Sequence, residues 1–133
     1  DKMAAIFLQI GLNQTVDVTY TLAGQTAAVD LSSGYTAEMV IRERAGSDLQ
    51  GDIIDTLTTG SSRIVLPSSP PAAGPNIQLK WDTDDSELLP NKTQTAVGDL
   101  RIIKTATSEV EHHIRFDFNV LEEVVTVTPP ENT

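Results

Sequence analysis

The feature that most constrains this chain is a strict two-residue alternation near its C-terminal end. Across Val110–Val120, Val110, His112, Ile114, Phe116, Phe118 and Val120 share one parity, and Glu111, His113, Arg115, Asp117 and Asn119 share the other. Successive side chains of a strand point to opposite faces of a sheet, so this pattern describes a strand with one face in a core and one in water. It would scatter apolar residues around a helix. Thr15–Leu22 and Tyr35–Arg42 repeat the pattern, with Val16, Val18, Tyr20 and Leu22 inward in the first and Tyr35, Ala37, Met39 and Ile41 inward in the second.

Shorter strands are expected at Ala4–Ile10, Asp52–Leu57, Arg63–Leu66, Asn76–Trp81, Val97–Lys104 and Val124–Thr128. Turn-forming clusters separate them, at Ala23-Gly24-Gln25, Ser32-Ser33-Gly34, Ala45-Gly46-Ser47, Thr59-Gly60-Ser61 and Asn91-Lys92-Thr93. Many short strands between turns indicate an all-β, antiparallel sandwich or barrel. One short helical turn is expected near residues 84–89, capped by Asp84 with Glu87 three residues on and stopped by Pro90. The proline-rich Pro67–Pro75 reads as a stiff, extended connection, and residues 129–133 as an extended tail. A length of 133 residues suits one domain, covering the whole chain, with a core that needs no covalent staples. There is no cysteine to make one.

Nineteen acidic residues against nine basic ones give a net charge of −10. Such a field repels nucleic acid and anionic membranes, so neither is expected as a partner. His112 and His113 invite a metal or acid–base role, but neighbours on a strand face opposite ways and cannot share a ligand. The run Asp82, Asp84, Asp85 and Glu87 is the best cluster of hard oxygen ligands, yet it lacks the glycine and spacing of a calcium loop and has capping work to do. No nucleophile elbow, phosphate-binding glycine loop or zinc signature occurs. The expectation is therefore no catalytic residue, no metal, no cofactor, no small-molecule ligand and no enzymatic activity. Asn13-Gln14-Thr15 and Asn91-Lys92-Thr93 match glycosylation sequons, a pattern common by chance.

Val29-Asp30-Leu31-Ser32-Ser33-Gly34-Tyr35-Thr36-Ala37-Glu38-Met39-Val40-Ile41-Arg42, following Thr19-Tyr20, resembles a stretch of the immunoglobulin-like domains in tailed-bacteriophage baseplate and tail proteins. Asp85–Pro90, Gly98–Arg101 and Val124–Pro129 fall in the order of that family. The chain departs from its pattern at the extra serine of Ser32-Ser33, at the proline loop and at the glycine-free tip Thr105–Glu109. The resemblance implies an immunoglobulin-like fold. It also implies a structural virion protein of the tail, baseplate or neck, located in the virion in many copies and acting through contacts with other virion proteins. The alternatives are a head-decoration or capsid-surface protein and a carbohydrate-binding or cell-adhesion sandwich. Inward parity of most aromatic residues speaks against sugar stacking. The apolar Ala4–Ile10, poorly defended by charge, is the edge strand expected to pair with a partner, so that deleting residues 1–10 should harm assembly more than folding.

Overall fold

The structure is a computed structural model and describes residues 5–44 and 51–122. The expected strand Val124–Thr128, the turn at Ala45–Ser47 and the tail 129–133 lie outside those residues.

Among the described residues, eight strands and one helical turn follow one another. They are β1 (Ile6–Gln9), β2 (Gln14–Val18), β3 (Tyr35–Glu43), β4 (Ile53–Thr58), β5 (Ile64–Val65), β6 (Ile77–Trp81), α1 (Thr83–Glu87), β7 (Gln94–Lys104) and β8 (Glu109–Leu121). They form two sheets, one ordered β1-β8-β7-β3-β4 and the other β2-β6-β5. The connections β2–β3, β4–β5 and β6–β7 each cross from one sheet to the other. That is the strand order of an immunoglobulin-like sandwich whose larger sheet carries an extra strand beyond the third.

One pairing departs from the antiparallel expectation: β1 runs parallel to β8, with Ile6 opposite Phe118 and Gln9 opposite Leu121. The cause is local. The chain turns after Ile10 through Gly11, whose φ is 93°, and carries β2 into the other sheet. β1 then has no hairpin partner and takes the free edge of the last strand, with the whole domain serving as the crossover.

The core lies between the sheets and is built by the alternation seen in the sequence. Leu8, Ile10, Val18, Ala37, Met39, Ile41, Leu57, Ile77, Leu79, Trp81, Leu100, Ile102, Phe116, Phe118 and Val120 are all buried. Trp81 meets Phe118 edge-on with centroids 6.2 Å apart, an arrangement that suits the ring quadrupoles. Two residues escape their parity. Leu22 is exposed because β2 ends at Val18 and the chain continues as a loop. Val110 is 51% exposed because the β7–β8 register slips between Ile102 and Ile103, which pair with His112 and Val110 and leave Glu111 as an extra residue.

Two irregular segments also differ from expectation. The helical turn starts earlier than Asp84: Asp82, in extended backbone, is its N-cap and forms a capping box with Asp85. Pro67–Pro75 is not extended throughout; Gly74 N–H donates to Pro71 O at 2.8 Å and Ala28 N–H to Ala72 O at 2.8 Å, folding it against the loop after β2.

Candidate functional site

The stretch Val29–Arg42 has a plain structural logic. Asp30 Oδ1 accepts from both the Ser32 N–H at 3.0 Å and the Ser32 hydroxyl at 2.5 Å, closing a local turn. The Ser32 hydroxyl, and then its N–H, hold the Asp30 carboxyl below the usual carboxylate range. Leu31 is thereby driven into the core. Gly34 follows with φ 80°, a shape that a Cβ resists, and its carbonyl accepts from Thr105 N–H at 2.9 Å. Tyr35 then opens β3 and donates its hydroxyl to Glu111 at 3.1 Å. That hydrogen bond is the main cause of a raised Tyr35 pKa, with desolvation and the Glu111 charge adding to it.

The two histidines separate as strand geometry requires. His112 turns inward, where its Nδ1 lies 3.1 Å from the Tyr20 hydroxyl and its ring meets Tyr20 edge-on. His113 turns outward to Asp99 at 3.3 Å, and Arg115 reaches the same carboxylate at 3.3 Å.

The acidic run is engaged in structural work. Asp82 Oδ1 accepts from Asp85 N–H at 2.7 Å, and Asp85 Oδ2 accepts from Asp82 N–H at 3.2 Å. Asp85 also faces Arg63 Nε at 3.3 Å. Arg63 in turn forms a bidentate pair with Asp55, at 2.7 and 2.9 Å, and donates to Thr56 O at 3.1 Å. Trp81 Nε1–H donates to Asp55 at 2.8 Å. Burial works against the Arg63 charge, but the hydrogen bond and charge of Asp55, with Asp85 and Asp82 behind it, outweigh that and raise its pKa. This network clamps β4, β5, β6 and α1 together. Among the described residues, no group of three or more His, Asp or Glu is arranged to hold a metal ion.

The sequence did not single out Asn76, which is 1% exposed. Its side chain accepts from Tyr20 N–H at 2.8 Å and donates to Val29 O at 2.8 Å and Tyr20 O at 3.1 Å. It thus pins the loop after β2 onto β6. A buried amide that satisfies backbone groups on a passing loop leaves no trace in hydrophobic periodicity.

The surface is informative at the β1–β2 end. Gly11 N–H donates to Ser86 Oγ at 3.0 Å, and Asn13 Oδ1 accepts from Thr83 N–H at 2.6 Å, fixing the turn on α1. On this frame Leu12 is 56% exposed and Leu88 81%. Phe7, on the outer side of β1, is 59% exposed, whereas the other aromatic rings are buried or half-buried.

β1 itself does not offer the open edge expected of it. Gln14 folds back over it, donating to Phe7 O and accepting from Gln9 N–H at 3.2 Å, so its side-chain amide occupies the groups a partner strand would use. Leu8 and Ile10 are 1% and 2% exposed. Deleting residues 1–10 would therefore open the core, and it cannot separate assembly from folding as the sequence suggested.

No family model matches the chain, and no curated protein matches it. Among solved structures it is similar to that of the NK cell receptor Nkp44, a triggering partner in natural cytotoxicity. The match has 16% identity and a TM-score of 0.33, and covers 89% of this chain and 99% of that one. The architecture described above rests on the strand order of this chain, not on that likeness.

Proposed function

We propose that the chain is a structural protein of a tailed-bacteriophage particle, in its tail, baseplate or neck, and that it works by binding neighbouring virion proteins. The placement in a particle is supported by the resemblance of Val29–Arg42. The observation that carries protein binding is the exposure of Leu12 and Leu88 on a turn and helix already locked to each other by hydrogen bonds, with Phe7 exposed on the adjacent edge strand. Large apolar side chains in water favour burial by a partner. A frame that is already ordered loses little entropy on docking. Repeated in an array, modest contacts of this kind add as avidity.

Co-expression with the proteins encoded beside it tests this reading. The chain should co-elute with one of them as a defined complex. The double substitution Leu12→Asp with Leu88→Asp should keep the native melting temperature and abolish co-elution. A chain that co-elutes with none of them, or a double variant that still does, contradicts the reading.

A further inference from the structure

The short helical turn α1 is divided into two faces. Ser86 and Leu89 are each 3% exposed and seat it on the body of the domain, while Asp85 turns to Arg63 at 3.3 Å. Asp84, Glu87 and Leu88 are exposed. Leu88, the C-cap, keeps helical backbone, and positions i, i+3 and i+4 of a helical turn are neighbours on one face. Two carboxylates therefore stand beside the leucine that is 81% exposed. Leu12 completes the apolar patch, held to α1 by the contacts of Gly11 and Asn13 on either side of it.

The basic side chains close to this end are already engaged. Arg63 is held by Asp55 and Asp85, and Lys92 by Glu43 at 3.2 Å. Among the described residues, neither Asp84 nor Glu87 has an ion-pair partner. Outside them the chain has a single basic residue, Lys2.

We propose that the neighbour docking on Leu12 and Leu88 is basic, and presents an apolar side chain set between lysines or arginines. The proposal rests on the protein-binding reading above and gives that partner its chemistry. A wholly apolar partner would leave Asp84 and Glu87 unpaired at the edge of a drying contact, and an acidic one would be repelled. The chain's own C-terminal tail does not match, because residues 123–133 include Glu123 and Glu131 and no lysine or arginine. A second copy would bring a net charge of −10 to the contact. Exposed ion pairs are individually weak and screened by salt, so the carboxylates govern association rate and choice of partner. The leucines govern how long the contact lasts.

Binding kinetics of the full chain with the neighbour that co-elutes with it test the proposal. Raising salt from about 0.05 M to about 0.5 M should slow association by roughly tenfold. Asp84→Asn combined with Glu87→Gln should keep the native melting temperature, slow association at low salt by roughly tenfold and remove most of the salt dependence. Glu109→Gln is the control for charge alone. It lies at the start of β8, whereas the end of that strand adjoins Gln9, and it should change neither rate nor salt dependence. The proposal is overturned if the Asp84→Asn, Glu87→Gln variant associates as fast as the parent while Leu12→Asp with Leu88→Asp still abolishes co-elution. The protein-binding reading then stands, with a partner of other chemistry. It is equally overturned if the Leu12 and Leu88 methyl signals of the dilute chain alone are shielded from a soluble paramagnetic agent, because the chain's own residues then cover the patch. Shielding that appears only as chain concentration rises makes a second copy the occupant and also overturns it. If no neighbour co-elutes, this proposal falls together with the proposed function.

Discussion

Replacing Asp55 with alanine should be among the most damaging single changes in the molecule. Its carboxylate receives two hydrogen bonds from Arg63 and one from Trp81 Nε1–H. The side chains of Arg63 and Asp55 are only 16% and 11% exposed, so water cannot replace what is lost. Removing one partner of a buried pair costs about 3–5 kcal/mol, because the other charge is left behind. Arg63 keeps Asp85 and Thr56 O, which places the expected loss near ~3 kcal/mol, with the orphaned indole N–H included. With a urea m-value near ~1.5 kcal/mol/M, the midpoint should fall by roughly 2 M with no change in slope. Adding Arg63→Met to Asp55→Ala should recover about 1 kcal/mol or more, since a pair removed together leaves no stranded charge. Urea titration followed by circular dichroism reads both variants. A loss below about 1 kcal/mol for Asp55→Ala would refute the reasoning, because a clamp between the sheets cannot be that cheap to open.

Asn76→Leu should cost roughly 2–4 kcal/mol by stranding Tyr20 N–H and Val29 O, and a urea midpoint equal to the parent's would show that the loop holds itself. Gly34→Val should cost roughly 1–3 kcal/mol from backbone shape alone, since nothing lies within 4 Å of a Cβ there. Gly34→Asn should cost less, and equal losses for the two would sink that explanation. The tyrosinate absorbance of Tyr35 should titrate above the ordinary tyrosine range, and Glu111→Gln should bring it back down. A folded-state pKa above the unfolded one adds stability that is present below ordinary tyrosine ionisation and is lost as pH rises through the folded value. An unmoved titration in Glu111→Gln would exclude the hydrogen bond as cause.

Parity carried most of the fold. It placed Ala37, Met39, Ile41, Phe116 and Phe118 in the core and set His112 and His113 on opposite faces, while turn chemistry marked Gly34. It was blind wherever partners lie across the fold. Nothing in Asp55, Arg63 or Asp85 read alone announces a clamp between sheets, since each looks like a surface charge until β4, β5 and α1 are brought together. The acidic run is legible as a helix start, but Asp82 adjoins the strand ending at Trp81 and does not stand out as the cap. The parallel placement of β1 depends on Gly11 sending the chain across to the other sheet, which no two-residue period encodes. Val110 lost its inward place to a one-residue slip opposite Ile103, an event that alternation cannot foresee. The edge of β1 looks open because Gln14 precedes the alternating run Thr15–Leu22 and nothing in the sequence shows its side chain standing in for a partner strand.

We propose that this chain is a building part of a virus particle. The most direct test of this central claim is immunogold labelling of phage particles purified from a lysate of cells that carry its gene, combined with quantitative mass spectrometry of the same particles. The account predicts several copies of the chain per particle and label confined to the tail, baseplate or neck. Particles that contain none of the chain would contradict it, and label spread over the head would assign the chain to the capsid surface instead.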